Sequence, residues 1–115
     1  MTYELAAALS DIAAGTAYTA TVGRQDIVLV RDGEEVLAVE DMCSHAMYPL
    51  SEGEVSDCHI ECALHGSRFD LRSGKPDALP ATEPIATFPV RLEATDTGVD
   101  VYVDVTTTLN GVKPQ

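Results

Sequence analysis

A chain of 115 residues has the length of one domain with a buried core. Seven Lys and Arg against nineteen Asp and Glu give a formal charge of −12, which speaks against a nucleic-acid backbone or an anionic membrane as partner and makes a basic protein surface the natural complement. Met1 to Asp11 carries Glu4 and Asp11 where a secretory signal needs basic residues, and no apolar run approaches the roughly 18 residues of a membrane span, so a soluble, cytoplasmic protein is expected.

In chain order, Ser10 to Gly15 reads as a short helical turn, capped by Ser10 or Asp11 and closed at Gly15. Strand signals then dominate: Ala17 to Val22, Ile27 to Val30, Val36 to Val39, Pro89 to Leu92 and Val99 to Val103 are β-branched or apolar runs between turn residues. Asp32-Gly33 between two such runs predicts a hairpin with a two-residue turn, and Thr95-Asp96-Thr97-Gly98 predicts a second. In the last strand Val99, Val101, Val103 and Val105 alternate with Asp100, Tyr102 and Asp104, which places the valines inward and the polar residues in water. The middle third holds four of the six prolines and reads as a loop-rich subdomain of about residues 41–84. Residues 106–115 show no repeating apolar face and read as a flexible tail after a single domain over 1–105. The fold class expected is all-β.

The middle third also carries the chemistry. Cys43-Ser44-His45 and Cys62-Ala63-Leu64-His65 each offer a thiol and an imidazole at close spacing, with residues 46–61 between them. Two such pairs in one small domain point to one soft metal centre. Three cysteines are an odd number, so a disulfide framework would leave one over, and Cys58 stands outside the motifs. His59 is read as a hydrogen-bonded structural residue and Cys58 as a small hydrophobe. Zinc suits two thiolates and two imidazoles, but zinc fingers place their cysteines in one pair and their histidines in the other. A mixed pair on each loop suits a binuclear cluster in which two Cys hold one iron and two His the other.

The two motifs, together with Gly66, Pro49-Leu50-Ser51-Glu52-Gly53, Phe69-Asp70, Ser73-Gly74-Lys75-Pro76, Leu79-Pro80-Ala81 and Phe88-Pro89-Val90, resemble the small Rieske [2Fe–2S] ferredoxins of bacterial multicomponent non-haem iron (aromatic-ring-hydroxylating) dioxygenases. The resemblance implies a Rieske fold, an antiparallel β-sandwich or barrel base bearing a smaller loop-rich cluster-binding subdomain. It implies that Cys43 and Cys62 ligate one iron and His45 and His65 the iron that takes the electron, at a solvent-facing tip. Leu79-Pro80-Ala81 is similar to the loop that covers the cluster in this family, and Gly66 is expected to permit close backbone approach after His65. Met42, Met47 and Pro49 are read as ordinary packing rather than a shield.

High-potential members of the family carry a bracing disulfide and both a serine and a tyrosine donor near the cluster sulfurs. Here Tyr48 and Leu64 stand at the disulfide places, Ser67 is kept and Phe69 replaces the tyrosine. One donor fewer and an acidic surround disfavour an added electron, which places the potential in the lower half of the roughly −150 to +300 mV Rieske span. Proton loss from the outer histidine nitrogens would lower it further at alkaline pH, with little slope near neutrality. The resemblance implies a monomeric one-electron carrier, without catalysis of its own, between a flavin-dependent ferredoxin reductase and a terminal oxygenase. Alternatives are the Rieske-like small subunit of a nitrite reductase, an accessory ferredoxin of iron–sulfur assembly, a domain of a larger assembly and, in a different class, a structural zinc module that binds a protein.

Overall fold

The structure, a computed structural model, describes residues 2–43, 48–63, 66–77, 79 and 81–114. It is built of strands: β1 (Glu4–Ala8), β2 (Tyr18–Val22), β3 (Gln25–Asp32), β4 (Glu35–Glu40), β5 (Val55–Ser56), β6 (His59–Glu61), β7 (Arg68–Asp70), β8 (Thr87–Phe88), β9 (Val90–Thr95) and β10 (Gly98–Val103). The helical content among the described residues is two single 3-10 turns, Leu9–Asp11 and Leu50–Glu52. The strands form three antiparallel sheets with the orders β1-β10-β9, β2-β3-β4-β8 and β5-β6-β7.

The Ile27-Val28-Leu29-Val30 run explains how the sheets are stacked. Side chains alternate across a strand, so a run apolar at every position belongs to a strand buried on both faces. Ile27 and Leu29 pack in one core with Ala7, Val36, Phe88, Val101 and Val103, between the first sheet and the second. Val28 and Val30 face the other way and meet Leu50, Ile60, Phe69, Leu71 and Ile85, beneath the third sheet. β3 is thus the wall shared by a sandwich base and a smaller subdomain carried on its back.

Several local expectations shift. The first helical turn lies earlier than Ser10–Gly15; it starts after Ala8, has no side-chain cap and closes at Ile12. In the first hairpin Asp32 pairs with Glu35, so the turn residues are Gly33 and Glu34 rather than Asp32 and Gly33. Only Gly33 has positive φ there, 64°, which is the type II′ pattern. The second hairpin turns through Asp96-Thr97, with Thr95 opposite Gly98.

Asp104 does not face water as the alternation predicts but is fully buried. Its carboxylate accepts hydrogen bonds from the Thr106 hydroxyl, the Thr106 amide at 2.8 Å and the Thr2 amide at 3.1 Å. A buried carboxylate is tolerated when its oxygens are so satisfied. The Thr106 hydroxyl, helped by the two amides, holds it below the usual carboxylate range even though burial opposes this.

Residues 106–114 contain no strand or helix, and two of them are tied to the base. The Leu109 amide donates to Thr87 at 2.8 Å, and Val112 packs against the base core.

Candidate metal centre

Each cysteine of the two motifs stands where a strand gives way to a closed loop. Cys43 follows β4 by three residues, and its amide donates to the Tyr48 carbonyl at 3.0 Å. Cys62 follows β6 directly, and its amide donates to the Ser67 carbonyl at 2.6 Å. In both loops the bond closes from residue i to residue i+5, so the histidine falls inside the loop, at i+2 in the first and i+3 in the second. The second closure is one rung beyond the Glu61–Arg68 pair, which makes it an extension of the β6-β7 hairpin.

Both loops are braced from outside. Asp41 accepts the Ser51 amide at 2.8 Å through Oδ1 and the Ser51 hydroxyl at 2.9 Å through Oδ2, tying the stem of the first loop to the Leu50–Glu52 turn. Leu50 is buried in the subdomain core. Beyond it, Gly53 lies against β6 so closely that a Cβ there would stand 1.5 Å from the Glu61 carbonyl oxygen.

Cys43 and Cys62 are 0% and 1% exposed and lie in the same apolar core, with Phe69 and Ala81, while Tyr48 packs against it. Neither is in a disulfide. Ser67 is also buried, and its Oγ accepts a hydrogen bond from the Ala81 amide at 3.0 Å. That bond uses the acceptor side of the hydroxyl and leaves its single proton to be donated elsewhere.

Gly66 has φ of 78°, and its own amide donates to the Cys62 carbonyl at 2.9 Å. Among the described residues a Cβ here would meet nothing nearer than Glu61 Oε1, at 3.7 Å. Glycine is needed for the left-handed backbone. His45, His65 and Pro80, with Met47, lie outside the described residues. Among the described residues no three potential ligands converge on a point.

The residues read as structural behave as such. His59 Nδ1 is 2.7 Å from the Asp57 carbonyl and its Nε2 is 3.0 Å from Asp77. Cys58 is half-buried in the β5-β6 turn, where burial pushes its thiol up from the ordinary value. Met42 is half-buried and Pro49 exposed. Asp41 escaped the sequence reading, although an acidic residue just ahead of a ligand loop is a natural anchor for that loop's backbone.

Comparison with known proteins places this arrangement. Residues 2–89 match the Rieske [2Fe-2S] domain, and the chain belongs to that family. The ferredoxin component of biphenyl 2,3-dioxygenase from Rhodococcus jostii RHA1 is 43% identical over 97 residues, 84% of this chain and 91% of that one. The ferredoxin subunit of 3-phenylpropionate/cinnamic acid dioxygenase from Escherichia coli K12 is 41% identical over 80 residues, 69% of this chain and 72% of that protein. Among solved structures, the ferredoxin of carbazole 1,9a-dioxygenase from Nocardioides aromaticivorans IC177 superposes with a TM-score of 0.82 at 33% identity, over 90% of this chain and 97% of that one.

The cofactor of the family is a [2Fe–2S] cluster held by two Cys and two His. The donor set here fits it. Two thiols outside any disulfide and sunk in one apolar core, each at the start of a loop whose sequence includes a histidine, supply soft ligands in surroundings that shelter a cluster from water. The relatives are ferredoxin components of dioxygenases, and this chain is an electron carrier.

Proposed function

We propose that Cys43 and Cys62 hold one iron of the cluster and His45 and His65 the other, and that the chain carries single electrons from a flavin-dependent ferredoxin reductase to a terminal oxygenase. The observation that carries this reading is the pair of matching loops, in which the Cys43 and Cys62 amides close the same i to i+5 span and both thiols enter one core. The bound cluster supplies reversible one-electron storage. The chain's own residues hold it, exclude water and set how readily the electron is accepted.

Within this reading Ser67 directs its free hydroxyl proton toward a sulfur, Phe69 fills the neighbouring core without a second donor, Gly66 turns the loop, and Pro80 belongs to the covering loop. The Rieske domain extends over residues 1–105, with its cluster-binding part at about 41–84. The protein works as a cytoplasmic monomer. A partner named in a relative supports the acceptor: a ferredoxin 32% identical to this chain, with a TM-score of 0.77, is known from a complex of reduced oxygenase and oxidized ferredoxin in carbazole 1,9a-dioxygenase. The likeness to a nitrite reductase small subunit, 21% identical, is one of fold alone.

The purified protein is expected to be red-brown, to bleach with dithionite and to give an EPR signal with average g below 2. Redox titration should place its potential in the lower half of the roughly −150 to +300 mV Rieske span. His65→Ala removes the spectrum and Cys58→Ser leaves it intact. A colourless protein with one zinc per chain would end this reading, as would a Rieske spectrum that survives His65→Ala.

A further inference from the structure

The C-terminal segment holds one side chain whose hydrogen bonding is complete. An asparagine amide has two N–H donors and two lone pairs on its oxygen. Asn110 uses all four: Nδ2 donates to the Ser73 carbonyl at 2.9 Å and to the Ile85 carbonyl at 2.8 Å. Its Oδ1 accepts from the Thr87 amide at 3.3 Å and the Val112 amide at 3.2 Å. Three of these partners lie 23 to 37 residues away in sequence, so the contact joins distant strands of chain rather than forming a local turn.

The place where Asn110 binds is itself tightly built. Ile85 donates its amide to the Gly74 carbonyl at 2.9 Å. Gly74 is buried and tolerates nothing larger, because a Cβ would lie 2.2 Å from the Ile85 carbonyl oxygen and 2.7 Å from Asn110 Nδ2. Ser73 and Ile85 are the two feet of the excursion that contains Ala81. From Ile85 the chain runs back through Pro84, Glu83 and Thr82 to Ala81, whose amide is the donor to buried Ser67 Oγ.

We infer that Asn110 is a positioning residue for the cluster: by clasping Ser73 and Ile85 it fixes Ala81, and through the Ala81 amide it orients the Ser67 hydroxyl. This rests on the proposed place of the cluster beside Cys43 and Cys62. A hydroxyl whose oxygen is engaged by Ala81 has its proton directed away from Ala81. Once that amide withdraws, the hydroxyl can rotate, and the negative charge on a neighbouring sulfur loses a directed donor.

The test uses Asn110→Ala in the full-length, cluster-loaded protein, with Ser67→Ala and the double variant beside it. Amide exchange at Ala81 and Ile85 is expected to accelerate about tenfold or more in Asn110→Ala, while exchange at Val28 and Val39 keeps its wild-type rate, the signature of a local opening. The midpoint potential is expected to fall in Asn110→Ala, and to show no further fall when the same change is made in Ser67→Ala. Asn110→Asp, which keeps the acceptor and removes both donors, should reproduce the exchange result.

Unchanged exchange at Ala81, acceleration spread evenly over Val28 and Val39, or an equal potential shift in both backgrounds would overturn the inference. If Ser67→Ala does not fold, the exchange pattern of Asn110→Ala and Asn110→Asp decides the matter. If the wild-type protein shows no Rieske spectrum, the ligand proposal fails, and the clasp is then judged on amide exchange alone.

Discussion

Asp57 and Cys58 sit at φ of 50° and 59°, the left-handed region at both central positions of the β5-β6 turn, which is the type I′ pattern. Asp tolerates this region better than Cys does. Cys58→Gly should therefore relieve roughly 1 kcal/mol of backbone strain, less about half that for the greater freedom glycine gives the unfolded chain. A rise in the melting temperature of about 2 °C with an unchanged visible spectrum is expected, measured on the loaded protein. Asp104 gives a pH-dependent counterpart. Because its folded pKa is depressed, its contribution is fully present above the unfolded value of about 3.9 and is lost as pH falls through the lower folded value. Denaturant titrations of Asp104→Asn should show a deficit against wild type at pH 7 that shrinks toward pH 3. A deficit constant with pH would mean that the carboxylate charge plays no part.

At the scale of elements, the cluster-binding part is held by contacts that allow little substitution. Gly53→Ala would drive a methyl group to 1.5 Å from the Glu61 carbonyl, so either the Leu50–Glu52 turn or β6 must move, and β6 leads directly into Cys62. An iron-free product is expected, read by iron analysis, with the far-UV signal showing whether the base sheets survive. The same elements show what sequence could disclose. The β3-β4 hairpin was legible because Gly33 interrupts two apolar runs, and the two motifs were legible because their residue types have few other uses in such proximity. β1 was not, since Leu5-Ala6-Ala7-Ala8 has little intrinsic strand preference and becomes a strand by pairing with β10. The Gly23-Arg24 turn between β2 and β3 was also missed, although Gly23 at φ of 61° is its signal. Asp104 reads as a water-facing residue because strand alternation does not show that Thr106, two residues on, and remote Thr2 satisfy its carboxylate, and Asn110 reads as part of a tail because Ser73, Ile85 and Thr87 are remote in sequence. Two-residue strands such as β5 and β8 leave too short a pattern to recognise.

Over the whole molecule the charge of −12 bears on how partners meet it. Residues 41–84 alone contain eight carboxylates against three Lys and Arg, so the cluster-binding part shares the negative field. Arg72 is already engaged, its guanidinium forked onto Glu35 at 2.8 and 3.0 Å and reaching Asp32 at 3.3 Å, and it holds the Glu35 carboxyl below its usual range. These exposed ion pairs are screened by water and do little for stability. Reduction by a partner reductase is expected to slow roughly tenfold as salt rises from about 20 to 300 mM, followed by stopped-flow absorbance. A flat profile would remove the case for steering. The shared wall formed by β3 adds a consequence for folding. Neighbouring residues Val28 and Leu29 belong to different cores, so neither core can come apart without baring one face of the same strand. Base and cluster-binding part should accordingly melt in a single cooperative step, and loss of iron should be felt in the protection of amides on the far side of the sheet.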